Sequence, residues 1–102
     1  MTEYYSIPPC VLEQFAGRIE DAAWEGGPFK CEDEAEHNGL SFQLEFSGFA
    51  HMRDVCVTDD YYVTELSDIV PLWCEVRAFD DEGDEVRTLF NTSDFTANYL
   101  RI

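Results

Sequence analysis

Carboxylates are the groups in this sequence that come closest to a chemical site. Asp80-Asp81-Glu82-Gly83-Asp84-Glu85 gathers five acids about one glycine, and Asp59-Asp60 sets two more at a second turn. Acids so placed can ligate a hard cation, act as an acid–base pair, or attract a basic surface. The first is not met: on the EF-hand order, aligned on Gly83, Ala78 takes the first ligand position and Leu89 the last. The second requires two carboxyl groups in different environments, and acids recur so often here that spacing singles out no pair. The third remains.

The other reactive residues offer less. Cys10, Cys31, Cys56 and Cys74 form no CxxC pair and have no histidine at finger spacing, so no zinc site is assigned. They are expected as reduced, mostly buried thiols, because Cys56 and Cys74 lie inside apolar strand patterns. His37-Asn38-Gly39 has the composition of a turn. His51 and Cys56 are an odd number of residues apart, on opposite faces of any strand that holds both. No GxGxxG, P-loop or GxSxG occurs. Catalytic residues, metal and cofactor are therefore all expected to be absent, and an enzyme would need a site invisible in the sequence.

Against six Lys and Arg stand 22 Asp and Glu, a formal charge of -16 at pH 7. Such a charge repels phosphate backbones and anionic lipid, and it draws in cationic surfaces. It also serves plain solubility. MTEYYSIPPC carries no basic segment or long apolar run, and nowhere do apolar residues run on for a membrane span, so a cytoplasmic protein is expected. The composition thus favours a small acidic, non-enzymatic binding or accessory protein. Its expected partner is a basic protein or the nucleic-acid-binding groove of one, as an inhibitor or nucleic-acid mimic. Contact is assigned to Asp80, Asp81, Glu82, Asp84 and Glu85, with Asp59 and Asp60 as a neighbouring acidic loop. The alternative is a structural or self-associating subunit, a homo-oligomer joined through Trp73, Phe79 and Leu89.

A hairpin must position the acidic run. From Leu72 to Phe90 two alternating segments flank it, and a type I turn with Gly83 in the left-handed region sets Ala78 opposite Val86, Val76 opposite Thr88 and Cys74 opposite Phe90. The other face then carries Arg77 and Arg87, with Glu75 and Glu85 as diagonal neighbours and Trp73, Phe79 and Leu89 exposed. Upstream, TEYYSI is a short edge strand or an arm. Ser6 and the two prolines after it mark a helix start. Val11, Phe15 and Ile19 then predict an amphipathic helix from Pro9 to about Trp24, ended by Gly26, Gly27 and Pro28.

FKCEDEAEHNG, at residues 29–39, has little apolar content and is expected as an exposed loop or irregular helix. Leu40, Phe42, Leu44 and Phe46 alternate with polar residues as a strand; Ser47-Gly48 breaks it, and a second strand over 49–58 pairs with it as a hairpin. Tyr61 to Leu66 is a short strand, with a helix as the competing reading, and Pro71 limits either. A short helix over Asp94 to Leu100 closes the chain. With 45% hydrophobic residues the 102-residue chain can bury one core. The expected fold is one α+β domain over residues 1–102: an antiparallel sheet of four to five strands, the N-terminal helix on one face and a short C-terminal helix.

Overall fold

A computed structural model describes residues 4–100 of the chain. In chain order the elements are β1 (Tyr4–Ser6), α1 (Pro9–Ala23), β2 (Gly27–His37), β3 (Leu40–Thr58), β4 (Tyr61–Phe79), β5 (Glu85–Leu89) and α2 (Thr92–Tyr99). The architecture is α+β. One five-stranded sheet has the order β1-β5-β4-β3-β2, and it is mixed, because β1 runs parallel to β5 while the other neighbours are antiparallel.

Strict alternation dictates the core. Phe42, Leu44 and Phe46 of β3 meet Ala78, Val76 and Cys74 of β4 on one side, and Ala35 and Cys31 of β2 lie opposite Phe42 and Phe46 on the other. α1 covers this face with Val11, Phe15, Ala16, Ile19 and Ala23, all buried, and α2 adds Phe95. Gln14 fixes the helix to the sheet edge, its Nε2 donating to Asp33 Oδ2 at 3.1 Å and to the Glu34 carbonyl at 2.9 Å. Gly26 and Gly27, both at positive φ, turn the chain from α1 into β2.

Several expectations are corrected. Residues 29–39 form most of an edge strand and the turn after it, not a loop or irregular helix. Phe29, Cys31 and Ala35 face inward while Lys30, Glu32, Glu34 and Glu36 face water, so the acid content reports a solvated face. Acidic side chains along an edge also discourage pairing with other chains. Ser6 belongs to β1, and the residue at the cap of α1 is Pro8, with no side-chain cap.

Ser47-Gly48 does not end a strand either, and no hairpin forms between 40–46 and 49–58. β3 runs through as one strand, and the irregularity is a register shift in which Ser47 pairs Trp73 while Gly48 pairs Pro71, leaving Leu72 as the extra residue of a bulge. Pro71 sits in that bulge and so does not limit β4. Glycine is required at 48 because a Cβ there would lie 2.8 Å from both Phe46 Cε1 and the Val70 carbonyl oxygen.

β3 and β4 outrun the rest of the sheet. The β2 pairing ends at Gly27 opposite Ala50, so the distal halves of β3 and β4 continue as a two-stranded arm to the Asp59-Asp60 turn. This gives the molecule dimensions of 62 × 21 × 20 Å. Arg53 and Glu65, paired across the arm, form an ion pair at 2.6 Å, and Thr64 Oγ1 donates to Asp54 at 2.7 Å. Among the described residues no helix is long and apolar enough to cross a membrane.

Candidate functional site

Because side chains alternate across a strand, the register that builds the core also composes the opposite face, which no helix among the described residues covers. Glu32 of β2, Glu45 of β3 and Glu75 of β4 are direct neighbours across three adjacent strands. With strands about 4.8 Å apart this is a row of like charges, an arrangement that costs stability. Glu34, Glu36 and Glu85 lie on the same face, with Lys30, Arg77 and Arg87 as its cations.

Arg77 is the cation nearest the row. Its Nε donates to Glu75 Oε1 at 2.7 Å and lies 3.9 Å from Glu85. The hydrogen bond and charge of Glu75, then the charges of Glu85 and Glu45, hold its guanidinium above the ordinary arginine range. Arg87 is directed elsewhere, 6.0 Å from the Tyr4 ring centroid with Nη1 donating to the Tyr4 hydroxyl at 3.4 Å. Glu32 and Glu45 thus remain open to solvent. Beside them, Lys30, Glu32, Glu45, Ser47 and Trp73 line a shallow depression of about 400 Å3. Trp73 is 58% exposed there, so an aromatic surface stands next to two carboxylates.

The acidic β4–β5 turn continues this face at one end of the sheet. Gly83 has φ 85°, and its N–H donates to the Asp80 carbonyl at 3.0 Å, as the turn chemistry requires. Asp80 Oδ1 accepts from the amides of Glu82 and Asp84, which turns its carboxylate into the loop, while Asp81, Glu82, Asp84 and Glu85 are exposed. The ladder pairs Ala78 with Val86 and Phe79 with Glu85. β5 then pairs with β1.

The loop that adjoins this turn is the β2–β3 turn, since a Cβ on Gly39 would lie 3.2 Å from Asp81 Oδ1. Glu36, His37, Asn38, Gly39, Leu40, Ser41, Asp80 and Asp81 line a cleft of about 430 Å3 between the two turns. Asp59 and Asp60 are not brought to it; they stand at the tip of the arm, at the far end of the long axis. Trp73, Phe79 and Leu89 share the open face. Leu89 is 61% exposed, whereas Phe79, set between Ser41 and Glu85, is half-buried, so that residue is corrected as an exposed contact. Leu72, extruded by the bulge, is 68% exposed, and Phe49 and Val70 adjoin it.

The thiols divide differently from expectation. Cys31 is buried and Cys74 half-buried on the core face, and burial pushes both up, Cys74 to about 11 with a smaller contribution from Cys31. Cys10 and Cys56 are exposed, the latter because it lies on the arm beyond the core. Sequence reasoning missed the glutamate row, because it depends on the register of residues 29–37 as a strand. The alternation of Phe29, Cys31 and Ala35 with charged residues was the signal that would have found it. Among the described residues no three His, Cys, Asp or Glu side chains converge as a metal-holding group. Compared with known proteins, the chain matches no family model, no curated protein and no solved structure.

Proposed function

We propose that this protein is a non-enzymatic binding domain that engages a basic protein surface through the open face of its sheet and the acidic β4–β5 turn that continues it. The observation that carries the reading is the Glu32-Glu45-Glu75 row beside exposed Trp73. Like charges in adjacent strands are a cost to the isolated fold, and a cationic partner relieves it. The depression between Trp73 and the two open glutamates suits one lysine or arginine side chain, its stem or guanidinium against the indole and its charge on the carboxylates. Charge of this sign and density speeds encounter more than it deepens affinity.

The test is affinity capture from the source organism at low and high salt, followed by association kinetics with the captured protein. The expected partner is basic and released by salt. Substituting Glu32, Glu45 and Glu75 by Gln is expected to slow association by about tenfold and to flatten its salt dependence, with Trp73→Ala raising the off-rate. A separate set, Asp80→Asn, Asp81→Asn, Glu82→Gln, Asp84→Asn and Glu85→Gln, measures the share of the turn. Unchanged on-rates in both sets at low salt would sink the reading. Competition by duplex DNA for the captured protein would identify the partner surface as a nucleic-acid groove.

The exposed Phe49, Val70, Leu72, Trp73 and Leu89 favour a second reading, a self-associating subunit. Its discriminant is sedimentation: a dimer strengthened by salt and lost in Trp73→Ala supports that reading, since two copies of charge -16 repel when salt is low.

A further inference from the structure

The fold brings together a nucleophile and a base that the sequence holds 27 positions apart: Cys10 Sγ lies 3.7 Å from His37 Nδ1. Cys10 is exposed in the first turn of α1, at the positive end of the helix dipole, where negative charge is favoured. His37 stands half-buried at the end of β2. In the tautomer that carries its proton on Nε2, the ring accepts the thiol proton at Nδ1.

The other thiols lack this arrangement. Cys31 and Cys74 face the core, and Cys56, though exposed, has its Sγ donating to the Thr58 carbonyl at 3.0 Å. We propose that Cys10, with His37 as its base, is a site of covalent modification by thiol–disulfide exchange, selective for small cationic disulfides over anionic ones. The selectivity follows from the surroundings of the imidazole, which also lines the cleft carrying Glu36, Asp80 and Asp81. Asp33 of the same strand is bonded to Gln14 of α1, the helix that carries Cys10. Carboxylates so placed concentrate a cationic reagent and repel an anionic one.

In the reaction His37 takes the thiol proton and the Cys10 sulfur attacks one sulfur of the disulfide. The S–S bond breaks, and the departing thiolate takes up the proton from the imidazolium. The products are a mixed disulfide on Cys10 and one small free thiol. The disulfide is the only oxidant required. The exchange itself is independent of the binding face, since neither Cys10 nor His37 belongs to the glutamate row, whereas the selectivity draws on Glu36, Asp80 and Asp81, which border that face.

The test exposes the native protein separately to cystamine, a dicationic disulfide, and to dithiodipropionate, a dianionic one, and follows each cysteine by peptide mass spectrometry. Cys10 is expected to react with cystamine about tenfold faster than Cys56, its exposed internal reference. Cystamine is expected to outpace the dianion at Cys10, with the gap narrowing in about 0.5 M salt. His37→Gln is expected to bring Cys10 down to the rate of Cys56. Equal rates at Cys10 and Cys56 in the unsubstituted protein would overturn the proposal without reliance on any variant. So would an unchanged Cys10 rate in His37→Gln, and equal rates for the two reagents would overturn the selectivity.

Discussion

The two faces of the sheet are written by the same strands and obey opposite rules. On the covered face Phe42, Leu44, Phe46 and Val76 are buried in one core with α1 and α2, and among the described residues no polar or charged side chain is fully buried. On the open face the same three central strands oppose Glu32, Glu45 and Glu75, with Arg77 as their nearest cation. The first face lowers the free energy of the fold through apolar burial. The second raises it through repulsion between neighbours. On the proposed reading a basic partner relieves that repulsion, and the difference between the faces is measurable as substitutions of opposite sign.

The largest effect belongs to the covered face. Phe42, fully buried between Ala35 of β2 and Ala78 of β4, is expected to cost about 3–5 kcal/mol when replaced by Ala, from lost burial and the cavity left behind. Urea unfolding measures it, and a loss under about 1 kcal/mol would show that the covered face is not a packed core. Next in size is Gly48→Ala. The new Cβ would meet the Val70 carbonyl at 2.8 Å, and that oxygen cannot retreat without disturbing the β3–β4 register, so a loss of about 1–3 kcal/mol is expected. Because Gly48 marks the register shift, amide exchange should quicken across 47–50 and 70–73 rather than at the core. Wild-type stability in this variant would mean that the bulge relaxes freely.

What was legible in the sequence follows the same division. Where large apolar residues kept a strict period against polar neighbours, as in Val11, Phe15 and Ile19 of α1 or Leu40 to Phe46 of β3, element and face were readable. The β4–β5 turn was readable too, since Gly83 meets a local backbone demand and Ala78 does oppose Val86. β2 was obscured because Glu32, Asp33, Glu34 and Glu36 overwhelm its few inward residues, and an edge strand needs only one apolar face. Ser47-Gly48 and Pro71 look like terminators, yet each is accommodated by a bulge that only the pairing of β3 with β4 creates. The acidic turn was therefore visible as a candidate site, and so was the turn at His37-Asn38-Gly39, while the glutamate row, the approach of the β2–β3 turn to the acidic one and the Cys10-His37 contact all waited on tertiary register.

The smallest effect sharpens the comparison most, because its sign is reversed. Glu45 is the middle member of the row, opposite Glu32 on one side and Glu75 on the other, with its side chain in solvent. Glu45→Gln keeps shape and hydrogen-bonding capacity and removes the charge, so both cross-strand repulsions vanish together. The substitution also removes one carboxylate from the field at Arg77, but the hydrogen bond of that residue to Glu75 remains. Repulsion between exposed groups is screened by water, which limits the gain to about 0.5 kcal/mol at low salt. Added salt already weakens the repulsion in the parent, so the advantage of the variant should shrink as ionic strength rises through the physiological range. Paired urea titrations of parent and variant at low and moderate salt measure both quantities. A variant less stable than the parent would mean that Glu45 is held by a favourable contact and that the open face carries no strain for a basic partner to relieve.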